Sequence, residues 1–232
     1  MTKLEDRLEI TDPEQPHVAT VLLLDISGSM EGDKIRQVNE GLQYFKDDVS
    51  SDDLTRKRLD FSIITFGSAV DIFQPFCNIE NFNPPALQAG GTTCMGGAIL
   101  KAIDLIETRK QEYRSKGIDF YRPWIFMVTD GNPTDMTQGD PLWNEVVKKI
   151  NDGEANKKFL FFTVGVDSAD MDLLGQLAPH NRVPVRLMKN KFKEMFLWFS
   201  KSQQKVSASK IGEQVALDNP VGPKGWAEAS TT

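Results

Sequence analysis

Val18-Ala19-Thr20-Val21-Leu22-Leu23-Leu24-Asp25-Ile26-Ser27-Gly28-Ser29 is the stretch on which the fold turns. Its first seven residues form an apolar run without alternation, which predicts a strand buried on both faces. Beyond Ser29, apolar residues recur at Ile35, Val38, Leu42, Phe45 and Val49, the spacing of one helix face. A carboxylate and two hydroxyls therefore sit on a short turn between a buried strand and a helix. In open α/β sheets, the edge outside the strand C-termini is where ligands bind.

The rest of the chain repeats this alternation. Gly32-Asp33 opens the first helix, with Asp33 as its N-cap, and the polar stretch Ser50-Ser51-Asp52-Asp53 ends it. Leu59 to Phe66 predicts a second strand. Only Gly67, Ser68 and Ala69 separate it from Val70 to Phe73, too few residues for a crossover helix, so this third strand should pair antiparallel at a sheet edge. Asn81-Phe82-Asn83-Pro84-Pro85 reads as loop. Gly90-Gly91-Thr92-Thr93 turns into a helix whose apolar face is Met95, Ala98, Ile99, Ala102, Ile103 and Ile106. Trp124 to Val128 predicts a buried strand ending in Thr129-Asp130-Gly131. A helix follows from Pro141, then a strand over Phe159 to Val166 and a short helix over Asp170 to Leu177. Val183 to Leu187 reads as the last strand and Lys191 to Lys205 as a final, aromatic helix. This pattern predicts an α/β fold: a doubly wound, mostly parallel sheet with one antiparallel edge strand and helices on both faces. Residues 1–16 read as a lead-in, 17–205 as one domain, and 206–232 as an extended or partly disordered tail. There, Pro220, Gly222, Pro223 and Gly225 break regular structure, and Trp226 either folds back or anchors a partner.

Composition narrows the function. The chain has 232 residues, a net charge of −6, 40% hydrophobic and 26% charged residues, those of a globular protein with a sizeable core. The acidic balance and the lack of a basic cluster argue against nucleic acid. Arg56-Lys57-Arg58, offset by Asp52, Asp53 and Asp60, reads as a solvated turn. No apolar run approaches the roughly 20 residues of a membrane helix. Cys77 and Cys94 do not form a disulfide framework and read as free thiols, and with no signal-like N-terminus the expected compartment is the cytoplasm.

Asp25 closes one buried strand and Asp130 another. In a doubly wound sheet the first and fourth strands are neighbours where strand order reverses, so both carboxylates should face one crevice. Ser27 and Ser29 overhang it, and Thr92 can reach in from the glycine turn. The pooled set is all oxygen, which suits a hard divalent cation. Hydroxyls can ligate it directly while carboxylates hold its waters. Such an ion stays electrophilic and keeps a position open for a carboxylate from another molecule. Asp135 and Asp140 read as loop or capping residues, and Glu31 and Asp33 as solvated. His17 and His180 stand isolated.

Asp25-Ile26-Ser27-Gly28-Ser29, Gly91-Thr92 and Thr129-Asp130-Gly131, in this order, resemble the metal-ion-dependent adhesion site of von Willebrand factor A domains. Leu22-Leu23-Leu24-Asp25, Val38-Asn39-Glu40-Gly41-Leu42, Ile64-Thr65-Phe66, Pro84-Pro85-Ala86-Leu87, Gly91-Thr92-Thr93, Val206-Ser207-Ala208-Ser209 and Gly225-Trp226 resemble bacterial TerY-type proteins of tellurium-resistance clusters. The resemblance implies direct ligation of Mg2+ or Mn2+, with Ca2+ less suited, by Ser27, Ser29 and Thr92, and ligation largely through water by Asp25 and Asp130. We assign Thr92 because it directly follows the glycines, although the Thr93 hydroxyl can also point inward. The implied role is a non-enzymatic binding module in a cytoplasmic stress-response complex. Its protein partner presents an Asp or Glu, and kinase or phosphatase partners fit the same setting. The alternatives are a Mg2+-dependent phosphatase with Asp25 as nucleophile, and a scaffold with a vacant site. Phosphatase sites of that kind carry a second Asp two residues on, where this chain has Ser27. No P-loop and no nucleophile elbow occurs.

Overall fold

Seven strands form one sheet in the order β3-β2-β1-β4-β5-β6-β7, and that order reverses at β1 and β4. The strands are β1 (Val18–Asp25), β2 (Leu59–Phe66), β3 (Val70–Asn78), β4 (Trp124–Thr129), β5 (Leu160–Val166), β6 (Val185–Leu187) and β7 (Ala227–Ala229). The helices are α1 (Asp33–Ser50), α2 (Asp53–Arg58), α3 (Met95–Ser115), α4 (Pro141–Ala155), α5 (Met171–Leu177) and α6 (Phe192–Ala208). The computed structural model describes residues 10–84, 86–222 and 225–229. Residues 1–9 of the lead-in, Pro85 of the loop, and 223–224 and 230–232 of the tail lie outside them.

The central strand works because both its faces are covered. Val18, Leu22 and Leu24 pack beneath α1 and α6 with Phe45, Phe196 and Phe199. Ala19, Val21 and Leu23 pack on the other face with Ile99, Ile106 and Trp143 from α3 and α4. All eight residues of β1 are buried, as a parallel strand between two helix layers must be. The helix spacing read from Val38, Leu42, Phe45 and Val49 is the buried face of α1. Gly41 lies on that face, and a methyl group there would overlap the Phe196 ring of α6. Gly41→Ala should therefore destabilise the fold by about 1–2 kcal/mol in urea unfolding, with overpacking outweighing alanine's better helix propensity. A stabilised variant would show that α6 has room to move.

The expected antiparallel edge strand is β3, which runs on to Asn78 and contains Pro75. Its pairing with β2 shifts register between Phe61 and Ile64. Three expectations need correction. Val185–Leu187 is not the last strand, because Ala227–Ala229 pairs antiparallel with it at the other edge. The tail, read as extended or partly disordered, is tied to the sheet here: Ala227 donates to the Pro220 carbonyl and Met188 to the Trp226 carbonyl. Trp226 folds back, 4% exposed, edge-on to Trp198. The basic triplet is not a solvated turn but the end of α2. Arg56 pairs with Glu80, and Arg58 reaches Gln15 and Tyr121. Gly32, in the left-handed region at φ 80°, is the N-cap of α1, and Asp33 instead accepts from Arg36 and Gln37.

His17, isolated in sequence, has charged neighbours in space. Beside the N-terminal end of β1 it is fully buried, with Nδ1 3.3 Å from Asp60. Arg109 donates to the same carboxylate at 2.8 Å, and the Tyr113 hydroxyl donates to it as well. Arg109 also lies over the rings of Phe76 and Tyr113. Burial alone would raise the Asp60 carboxyl. The neighbouring His17 ring, the Arg109 charge and the Tyr113 hydroxyl hold it below its ordinary value instead. Cys77 and Cys94 are both free, and burial pushes the Cys77 thiol up to about 11.

Candidate metal centre

The site sits at the opposite end of the sheet, outside the C-termini of β1 and β4. Parallel register sets Leu24 opposite Val128, so Asp25 and Thr129 finish side by side. Asp25 is 1% exposed. Its Oδ1 accepts from the Ser27 amide at 2.8 Å and its Oδ2 from the Thr129 hydroxyl at 2.5 Å. The chain then crosses the top of β2, where Ile26 donates to the Phe66 carbonyl. A single helical turn, Gly28–Met30, brings Ser29 back over Ser27, with the two hydroxyl oxygens 3.0 Å apart. The Ser29 hydroxyl donates to Asp130 Oδ1 at 2.6 Å. Asp25, Ser27, Ser29 and Asp130 are thus brought together from two strand ends.

Thr92 is not with them. It is exposed, and both its amide and its hydroxyl face the Ser68 hydroxyl, at 3.0 and 3.4 Å. Gly91 enforces this: its φ is +81°, and a side chain there would collide with Ser68. Thr93 points inward instead and is 5% exposed. Its amide donates to the Thr134 hydroxyl and its carbonyl accepts from the Thr134 amide. Placement directly after the glycines was therefore the wrong guide to which threonine enters. One residue makes the difference, because the left-handed glycine swings the following side chain outward.

The room inside is set by Gly131. A Cβ built there would lie 3.4 Å from Thr93 Oγ1, 3.6 Å from Ser29 Oγ and 3.9 Å from Asp25 Oδ2. Three oxygens from two separate segments, the turn after β1 and the glycine turn before α3, thus surround a space that any side chain at position 131 would fill. Gly131 and Gly28 contribute space and close approach rather than a sharp turn, since neither has a positive φ. The donor set fits a hard cation. Among the described residues, no three acidic, imidazole or thiol side chains form a metal cluster, so an ion here would rely on hydroxyls beside the two carboxylates.

The electrostatics point the same way. Burial pushes the Asp25 carboxyl up, and the nearby Asp130 charge adds to it, against hydrogen bonds from Ser27 and Thr129 that pull it down. Two buried carboxylates with a shared demand for positive charge are met on one side by Lys34. Its ammonium donates to Asp130 Oδ2 and to the Ser29 carbonyl, and lies 3.5 Å from Asp167. Thr129 and Lys34 are the site residues that sequence reasoning missed. Thr129 stood inside the quoted Thr129-Asp130-Gly131 motif, but nothing in spacing alone aims Lys34 at Asp130. Asp135 and Asp140 act as expected, Asp135 accepting from the Gly96 and Gly97 amides and Asp140 capping α4.

The model of the von Willebrand factor type A domain matches residues 20–196. The chain is 27% identical to inter-alpha-trypsin inhibitor heavy chain H1 of Bos taurus over 163 residues, 66% of this chain and 16% of that protein. It is 33% identical to inter-alpha-trypsin inhibitor heavy chain H4 of Homo sapiens over 122 residues, 49% of this chain and 12% of that protein. The chain therefore spans only 12–16% of the length of these relatives. Among solved structures, a von Willebrand factor type A protein from Catenulispora acidiphila aligns with a TM-score of 0.63 and 16% identity, covering 84% of this chain and 44% of that one. The pilus adhesin SpaC from Lactobacillus rhamnosus GG aligns at 0.64 and 12% identity, over 82% and 30%. Proximal thread matrix protein 1 from the mussel byssus, with a zinc-occupied adhesion-site motif, aligns at 0.52 and 16% identity, over 83% and 48%. Identities this low establish a shared fold and nothing finer.

Proposed function

Because the chain belongs to the von Willebrand factor type A domain family, we propose that it is a non-enzymatic binding module. It holds a divalent cation between β1 and β4 and offers that ion to an Asp or Glu of a protein partner. The observation that carries this reading is the space in front of Gly131, ringed by Thr93, Ser29 and Asp25. In it, Ser27, Ser29 and Thr93 supply neutral oxygens, while Asp25 and Asp130 hold the ion's waters. An ion so held keeps much of its positive charge for an incoming carboxylate. Magnesium or manganese suits a small set of oxygens in octahedral geometry, and calcium, which takes six to eight, suits it less.

The phosphatase alternative finds no support in the geometry. Both oxygens of Asp25 are already engaged, and Ser27 stands where a proton-donating carboxyl is needed. The resemblance to TerY-type proteins suggests a cytoplasmic stress-response assembly as the setting. Two free cysteines are compatible with a reducing compartment, and none of the described helices is long and apolar enough to cross a membrane. The tellurium-resistance part of this reading rests on the sequence resemblance alone.

Thermal unfolding and calorimetry with Mg2+, Mn2+ and Ca2+, against EDTA, test the metal centre. A ligand that binds only the folded state raises the melting temperature. Thr93→Ala should weaken Mn2+ binding by about 10- to 100-fold, on the scale seen for supporting groups at metal sites, whereas Thr92→Ala should bind as the wild type does. The reverse ranking would return the role to Thr92. Capture of a partner from cell extract that survives EDTA or Asp25→Asn would remove the metal from the interaction.

A further inference from the structure

Lys34 is the second residue of α1, and a cation in the first turn of a helix is opposed by the helix dipole. Its place there needs another source of stabilisation, and three oxygens supply one. The ammonium donates to Asp130, whose side chain has no solvent exposure, and to the Ser29 carbonyl at 2.9 Å. Asp167 Oδ2 lies 3.5 Å away and is half exposed. Asp167 opens the loop after β5, one strand over from β4, with a φ of 46°. Arg186 of β6 donates to the carbonyls of Asp167 and Ala169 and so fixes that loop. Next to Lys34 a hollow of 220 Å3 opens, with Glu31, Asp33 and Asp167 on its walls.

We propose that Lys34 is a tethered counter-cation of the metal centre: its ammonium neutralises Asp130 when no ion is bound and swings to Asp167 when a divalent ion claims Asp130. The proposal rests on the metal-centre reading above and adds its regulation. A dication bound beside Asp130 repels the ammonium held on the same carboxylate, and this repulsion favours departure of the ammonium. Lys34 has a flexible four-carbon stem, and Asp167 already lies within reach, so the move needs no backbone change. The result is a site that stays neutralised when empty and holds its ion less tightly than its oxygens alone would. Asp167 strengthens ion binding, but only through Lys34.

The test uses the full chain and Mn2+, with binding read by calorimetry and by the electron paramagnetic resonance signal of free Mn2+. Lys34→Met should bind Mn2+ about tenfold tighter than wild type, the effect of a unit charge on a dication at about 6 Å under water-like screening. Lys34→Arg, which keeps the charge, should not. Asp167→Asn should weaken binding several-fold in the wild-type background and leave it unchanged in Lys34→Met, the coupling expected of a residue that acts through another. In EDTA, Lys34→Met should melt below the wild type, and saturating Mn2+ should close that gap. Equal or weaker Mn2+ binding by Lys34→Met overturns the proposal. So does an Asp167→Asn effect of the same size in both backgrounds, which would make Asp167 a direct electrostatic contributor. If neither wild type nor Lys34→Met takes up Mn2+, the metal centre itself falls and this proposal with it. If wild type binds in an Asp25-dependent way and Lys34→Met is indifferent, only the Lys34 role falls.

Discussion

Asp25→Asn should remove the rise in melting temperature that divalent cations produce, while leaving the protein in EDTA at least as stable as the wild type. The two halves of this result have one cause. Asp25 is buried beside Asp130, and burial, helped by the neighbouring charge, holds its carboxyl above its ordinary value despite the Ser27 and Thr129 hydrogen bonds. An acid whose folded value is raised binds its proton more tightly in the folded state. Stability is therefore lost as pH climbs from about 4 through that raised value. Asparagine abolishes the cost because it carries no charge. It can still accept from the Ser27 amide, and its amide can turn toward Thr129. What it cannot do is attract a dication or hold its waters, and the expected loss of Mn2+ affinity is on the order of 100-fold. The check is a pair of thermal scans, with EDTA and with saturating Mn2+, at pH 7. An EDTA melting point well below wild type would mean that Asp25 is a structural acid after all.

Asp60→Ala should behave in the opposite way and destabilise the protein by about 3–5 kcal/mol, with or without metal. Asp60 is the shared acceptor of Arg109 and Tyr113, and His17 Nδ1 lies 3.3 Å from it. Removing it strands the Arg109 guanidinium, 6% exposed, with Glu112 as its remaining carboxylate partner. An uncompensated buried charge is among the largest single-residue penalties known. The pH dependence also has the opposite sign from that of Asp25. Because the folded Asp60 carboxyl lies below its ordinary value, its stabilisation is fully present above about pH 4 and is lost as pH falls through the lowered value. The penalty of Asp60→Ala should therefore shrink in acid. Urea denaturation at neutral and at acid pH measures both effects. A penalty under about 1 kcal/mol at neutral pH would mean that solvent reaches Arg109.

These two aspartates also mark what the sequence could and could not reveal. Asp25 was legible because an apolar strand led straight into it and Ser27 and Ser29 followed at fixed spacing. The buried run of β1, the stripe on α1 and the short gap before β3 were legible for the same reason: each is a local pattern with its own period. Asp60 sat inside an apolar strand with no local hint that His17, Arg109 and Tyr113 would meet it from elsewhere in the chain. Lys34 was invisible in the same way. That Thr93 rather than Thr92 faces the carboxylates was not legible, since adjacency in sequence does not say which of two side chains a left-handed glycine turns outward. α2 and β7 escaped because six and three residues are too short to show a period, and β7 is Ala-Glu-Ala, held by backbone bonds rather than by an apolar face.

The two flanks of the sheet bear on how this molecule tolerates crowding. A long, flat, unpaired strand invites another chain to lie down beside it, which is how many β-rich proteins aggregate. Here one flank is the slipped and proline-containing β3, and the other is β7, which is only three residues long. Neither is a good template for polymerisation, so close approach by another molecule is steered away from the sheet's margins.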